Sequence, residues 1–300
     1  MNLDSLSDEE LLYLVGTTDK ELFDAGRDIR QRDWEVPNAV MKKLGYASFV
    51  IAGAGTPVIL ERIRAIFASI YRSQDLAVGG HIGVFMYRDV FARFSIPHCY
   101  GRVSINPFDF VDLTRIQLRM IQVETEEYSR YIDQFCDVAD IQYGLQKRRR
   151  SYKDAEVLHR FLGLSRLHLH AAAAILTGGY DYRGAVQAGL LATELALKAG
   201  AAASGLTERE IKDRFAHKVA QTAQFLGDVW PSFDVARVQR VIAGQPPYVI
   251  NRYSAEQPNR RDVGHLVMGA QFIVSEVVRQ TSDQDFRRGL KPLVARSYPE

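Results

Sequence analysis

A mainly α-helical chain, with an α+β portion in its N-terminal half, is what this sequence predicts, on three observations. Residues 185–199 place Ala185, Ala188, Gly189, Ala192, Ala196 and Ala199 at i, i+3, i+4, i+7, i+11 and i+14, a single stripe of small side chains. A second stripe, Val263, Leu266, Val267, Ala270, Val274 and Val277, repeats at helical period near the end of the chain. Between residues 81 and 110 that period gives way to aromatic and β-branched residues with proline and glycine at turn positions, which predicts two or three short strands.

Taken in order, Ser5 or Ser7 can cap a first helix over DEELLYLV, whose acidic first turn suits a helix N-terminus. Helical segments are expected over residues 20–31 and 37–44. Residues 48–52 read as a short strand before Gly53-Ala54-Gly55, with Pro57 in the first turn of the next helix. This could be a phosphate-cradling loop serving a small-molecule sensor. It lacks the third glycine of a dinucleotide fingerprint and the Gly-Lys-Ser/Thr of a P-loop, so a bend between packed helices is the preferred reading. One long helix is expected over residues 113–143. On it Asp133, Asp137 and Asp140 share a face at i, i+4 and i+7, which reads as a solvated acidic face rather than a Mg²⁺ site.

The basic run Lys147, Arg148, Arg149 and Arg150 marks the expected domain boundary, between an α+β module of residues 1–146 and a helical bundle of residues 147–300. Such a run reads as a solvated linker or as a contact to an RNA backbone. Beyond it lies an antiparallel helical hairpin hinged at Gly178-Gly179, which would bring Glu194 level with Arg166 and His170. A buried carboxylate there needs such a partner. His168 and His170 are expected to be hydrogen-bonded within the bundle. Thr207 and Glu210 form a capping box for a helix reaching about residue 227. Residues 234–242 form a short helix, the last helix starts near Arg260, and the final dozen residues read as a tail.

Composition narrows the function classes. A formal net charge of +2 argues against a generic high-affinity nucleic-acid binder, without excluding a local basic site. Two cysteines supply neither a disulfide framework nor a zinc cluster, and no cofactor motif is present. The acidic start lacks the features of a signal peptide, and no apolar run reaches the roughly 20 residues of a membrane span. A cytoplasmic protein without membrane contact is expected.

From residue 158 to 279 the order of motifs is a His/Ala-rich helix, an aromatic-Arg turn at residues 180–183, and Ala-Val-Gln-Ala leading into Ala-Thr-Glu-Leu-Ala-Leu-Lys-Ala. A basic helix with Phe215-Ala216-His217-Lys218 follows, and later Asn251-Arg252-Tyr253-Ser254. This order resembles the HEPN domain (higher eukaryotes and prokaryotes nucleotide-binding). The resemblance implies a dimerising helical bundle acting on nucleotides or RNA in stress or antiviral defence, with a nucleotidyltransferase or an antitoxin as partner. As a non-catalytic module it would bind through Arg252, Arg260 and Arg261, with Lys147, Arg148, Arg149 and Arg150 adding backbone contacts. The alternative is a metal-independent, toxin-like RNA endonuclease. Active members carry an Arg followed four to six residues later by a His. Arg260 and His265 have that spacing, whereas the helix holding His217 offers Lys212 at the corresponding place. Arg261 lies one turn before His265 on the same helix face.

Overall fold

The computed structural model describes residues 6–76, 80–96, 104–145, 155–247, 253, 255–256, 258–282, 284–290 and 295–299. The protein is mainly α-helical and carries one two-stranded sheet among the described residues. It divides into two compact units, Met1–Gly79 and Gly80–Glu300.

In the first unit, α1 spans Asp8–Asp24, and Ser7 and Glu10 close a reciprocal capping box at its start. Asp28 and Gln31 do the same for α2, Ile29–Lys43. Of the segments expected at residues 20–31 and 37–44, the first is split between the end of α1 and the start of α2, and the second is the end of α2, which runs through Pro37. That ring is buried, so packing outweighs the one backbone bond proline forfeits. Helix α3 spans Val58–Ile70, followed by the short α4, Ser73–Leu76. Leu11, Val15, Val40, Ile63 and Phe67 belong to the core of this unit. Asp19 and Arg32, both nearly buried, pair at 2.6 Å, and the Tyr71 hydroxyl bonds to both. No strand precedes α3. Residues 46–57 bend instead, with Gly53 and Gly55 at positive φ and Thr56 donating twice to the Gly53 carbonyl. The bend is the observed outcome.

The second unit opens with the antiparallel strands β1, Ile82–Tyr87, and β2, Val90–Ser95, paired from Ile82↔Ser95 to Tyr87↔Val90. Its helices are α5 (Arg115–Val123), α6 (Thr125–Gly144), α7 (Ala155–Thr177), α8 (Ala185–Ala203), α9 (Glu208–Arg214), α10 (Val219–Val229), α11 (Val235–Ala243) and α12 (Arg260–Thr281). The long helix expected at residues 113–143 breaks at Glu124, which is extended and starts α6. The helix begun at Thr207 breaks as well, because Ala216 adopts φ 43° between α9 and α10.

Helix α12 is the centre. It packs against α6, α7, α8, α11 and β1, and even its polar Gln271, Ser275 and Glu276 are buried. The α7–α8 hairpin forms as expected and lies against it. A side chain at Gly189 on α8 would overlap Leu266, and one at Gly264 on α12 would overlap Met86 on β1. Glycine at these two positions lets helix and strand approach. Strand β1 exposes its second edge to the helices rather than to another strand. A buried edge needs partners for its backbone groups, and side chains supply them. His81 N–H donates to Gln142 at 2.7 Å, Ile82 N–H to His170 at 3.2 Å, and Val84 N–H to Gln271 at 2.7 Å. Gln271 returns a bond to the Val84 carbonyl at 2.9 Å.

This packing moves the domain boundary. The hairpin and α6 belong with the C-terminal helices, so the division falls at residues 79/80 instead of 146/147. Sequence alone placed the hairpin with what precedes it, because the residues that cap β1 lie as many as 187 positions away. Lys147, Arg148, Arg149 and Arg150 lie outside the described residues.

The acidic face of α6 is buried too, contrary to the solvated face expected. Asp133, Asp137 and Asp140 are at most 1% exposed. Arg279 bonds Asp137 at 3.0 Å and Asp140 at 2.9 Å, Arg287 pairs with Asp133, and Arg296 pairs with Asp137. Of the final dozen residues, expected to be a loose tail, those described at 295–299 form a docked strap. Ser297 and Tyr298 donate their backbone N–H groups to Asp133 at 2.7 and 3.0 Å, and Tyr298 is buried.

Candidate functional site

Asn259 caps α12 by accepting from the Asp262 N–H at 3.0 Å, and the next two residues, Arg260 and Arg261, are exposed. Successive helical residues point about 100° apart. Arg260 turns toward the strand hairpin. Its Nε donates to the Asp89 carbonyl at 2.8 Å, and its guanidinium lies 4.4 Å above the Phe91 ring. Arg261 and His265, one turn apart, line a cleft of about 410 Å³.

The other walls come from distant segments. Arg130 is supplied by α6, Arg240 and Val241 by α11, Gly244 and Gln245 by the chain just after it, and Tyr298 and Pro299 by the strap. Leu266 and Val241 give the cleft an apolar part. Among the lining residues three arginines face one carboxylate, Asp262. Arg130 is held from behind by Glu127 at 3.3 Å, and its guanidinium sits 5.9 Å from the Tyr298 ring centre. The Tyr298 hydroxyl donates to the His265 carbonyl at 3.4 Å and accepts from His265 Nδ1 at 3.3 Å. That arrangement orients the imidazole at the cleft wall. Three guanidiniums beside an imidazole and an apolar wall suit an anion with an organic body, since the planar guanidinium matches phosphate and carboxylate oxygens.

Arg260 and His265, which share the spacing of a catalytic pair, therefore serve different surroundings. Arg261 and His265 are the two that meet. Arg252 lies outside the described residues, so its expected contact has no position here. The spacing rule selected Arg260, while helix phase selects Arg261. Arg130, Arg240 and Tyr298 were not legible as site residues. Arg130 lies in a strongly acidic helix, and Tyr298 in a segment with no periodicity.

Glu194 pairs with Lys198 at i,i+4, as the helix spacing predicts, and with His217 instead of Arg166 or His170. It accepts from Lys198 at 2.5 Å and contacts His217 Nδ1 at 3.1 Å. The carboxylate is 6% exposed while the His217 side chain is 61% exposed. An accessible imidazole is thus oriented by a buried carboxylate, on the turn where Ala216 adopts positive φ.

His170 is hydrogen-bonded within the bundle, as expected, whereas His168 has no hydrogen-bond partner among the described residues. The His170 Nε2 lies 2.8 Å from Nδ1 of His81, a residue with no exposed surface. That nitrogen also accepts from Ile82, so both rings are neutral. Burial, then the nearby Arg166 charge, lowers His170 to about 4, and burial followed by the His170 and Arg166 charges takes His81 well below its ordinary value. Histidines with folded values below the unfolded one stabilise fully above about pH 6.5, and that contribution fades as pH falls toward 4. Asp140 works the other way. Burial pushes it up to about 6, so its penalty is relieved over the same range. Two histidines against one carboxylate leave a net loss in acid. His170→Gln should therefore flatten the fall in stability between pH 7 and 4.5 by roughly 1–2 kcal/mol, allowing for the ring's partial exposure. Urea unfolding at each pH measures this. Parallel curves for the two proteins would refute it.

Among the described residues no group of three or more His, Cys, Asp or Glu side chains is placed to hold a metal ion. No helix among them is long and apolar enough to cross a membrane. Compared with family models, curated proteins and solved structures, the chain matches none.

Proposed function

We propose that the unit of residues 80–300 is a HEPN-like, non-catalytic binding module whose cleft at Arg261 and His265 takes the phosphate of a nucleotide or an RNA. The observation that carries this reading is the convergence of Arg130, Arg240 and Arg261 from three helices on one cleft with a single acidic lining residue. Arg261 and Arg240 supply charge for phosphate oxygens, and the His265 imidazole is the hydrogen-bonding group for a ribose hydroxyl. The module works as a homodimer beside a nucleotidyltransferase or an antitoxin, in a stress or antiviral response.

A second reading, a metal-independent RNA endonuclease, rests on the exposed His217 held by the buried Glu194. An imidazole oriented by a carboxylate is the arrangement of a general acid or base. It replaces the pair Arg260 and His265, whose side chains serve separate surroundings.

Incubation of the purified chain with single-stranded RNA in EDTA separates the two. The binding reading expects intact RNA, bound at low salt and about tenfold less tightly by Arg261→Ala, the loss of one charge-assisted contact. The nuclease reading expects cleavage that His217→Ala reduces by about 10²–10⁴-fold without loss of binding. Unchanged binding by Arg261→Ala would remove the cleft from the account.

A further inference from the structure

A second cleft, of about 500 Å³, takes Arg296 from the strap and shares no lining residue with the first. Arg237, Arg279, Arg287, Arg288 and Arg296 line it, together with Ser232 and Gln284 among others. Its construction is layered. The inner layer is the row of carboxylates on α6, and the outer layer is the guanidiniums those carboxylates hold. Arg279 is fixed three ways, by Asp137, by Asp140 and by Glu276 at 2.7 Å. Arg287 is held by Asp133, Arg296 by Asp137, and Arg237 by Asp234 and the Pro299 carbonyl.

Fully buried ion pairs add little net stability compared with apolar packing of the same volume. What this lattice does supply is guanidiniums whose positions are set before any ligand arrives, which removes much of the ordering cost of binding. Of the acidic lining residues, Asp234 and Glu276 are already satisfied by Arg237 and Arg279. The exposed Asp285 accepts a backbone bond from Arg288. The Arg288 guanidinium has no hydrogen-bond or ion-pair partner among the described residues. It borders the cleft as an unneutralised charge, and the Gln284 amide and Ser232 hydroxyl supply neutral hydrogen-bonding groups beside it. The volume falls within the roughly 300–1,000 Å³ of small-molecule sites.

We infer that this cleft is a second ligand site, for a small, multiply charged oxyanion of the phosphate or polycarboxylate kind. Arg288 makes the primary contact, and the pinned Arg296 presents its remaining N–H groups to the other oxygens. The bidentate match between guanidinium and oxyanion selects this class over a neutral or cationic ligand. The inference is independent of the nucleotide or RNA reading, since no residue is shared.

Isothermal titration of the full chain with inorganic phosphate and, separately, with citrate tests it, against chloride at equal ionic strength. Submillimolar binding of at least one anion is expected, and which one binds identifies the kind. Arg288→Ala, an exposed change that leaves the buried lattice intact, should weaken it about tenfold, with Arg288→Lys intermediate. Arg261→Ala, which removes the phosphate contact of the first cleft, should retain the anion binding that Arg288→Ala weakens. Absence of heat from both anions up to about 10 mM would overturn the proposal, as that concentration leaves less than about 3 kcal/mol of affinity. So would anion binding lost in Arg261→Ala and kept in Arg288→Ala, which would place the anion in the other cleft.

Discussion

Asp137→Ala should destabilise the protein by about 3–5 kcal/mol, the usual cost of removing one member of a buried ion-pair network. Asp137 has no exposed surface and accepts hydrogen bonds from Arg279, Arg296, Ser275 and Gln134. Arg279 keeps Asp140 and Glu276 when the carboxylate goes. Arg296 loses its charged partner and, at 9% exposure, cannot recover it from water. The strap that carries Arg296 also anchors Tyr298, so its release should expose that ring. Urea unfolding measures the loss. A change below about 1 kcal/mol, the range of exposed ion pairs, would mean that the network does not hold the strap.

Gln271→Leu should cost about 2–4 kcal/mol, although leucine is the more apolar residue and the site is buried. The amide accepts from the Val84 N–H and donates to both the Val84 carbonyl and Gln134, the latter at 2.9 Å. Leucine leaves these buried groups without partners, each at a penalty of about 1–3 kcal/mol less whatever water recovers. Gln271→Glu should be worse, since a carboxylate cannot donate to the Val84 carbonyl and adds a buried charge. Faster amide exchange at Val84 in both variants is the local signature. A leucine variant as stable as wild type would show that β1 does not depend on this cap.

Local signals made the helices legible. The Ser7 and Thr207 caps, the small-residue stripe of α8 and the apolar stripe of α12 each act within one or two turns of chain, and each of these helices starts where its signal puts it, although the Thr207 helix ends early, at Arg214. What the sequence hid is what depends on distant partners. Asp133, Asp137 and Asp140 share a face in any helix, but only Arg279, Arg287 and Arg296, some 140–160 residues away, make that face an interior one. The capped edge of β1 is hidden for the same reason. Pro37 inside α2 shows packing overriding a local preference, and Ala216 shows a break that no glycine announces. At the cleft, Arg261 and His265 follow from helix phase alone, whereas Arg130, Arg240 and Tyr298 require the fold.

The central claim is that Arg261 contacts a phosphate in the cleft. Its most direct test is the salt dependence of single-stranded RNA binding by the wild-type protein and by Arg261→Ala. The account predicts that the logarithm of the binding constant falls linearly with the logarithm of salt concentration in both, and that the variant's slope is shallower by about 0.7, one phosphate contact on a single strand. Identical slopes and affinities for the two proteins would contradict it.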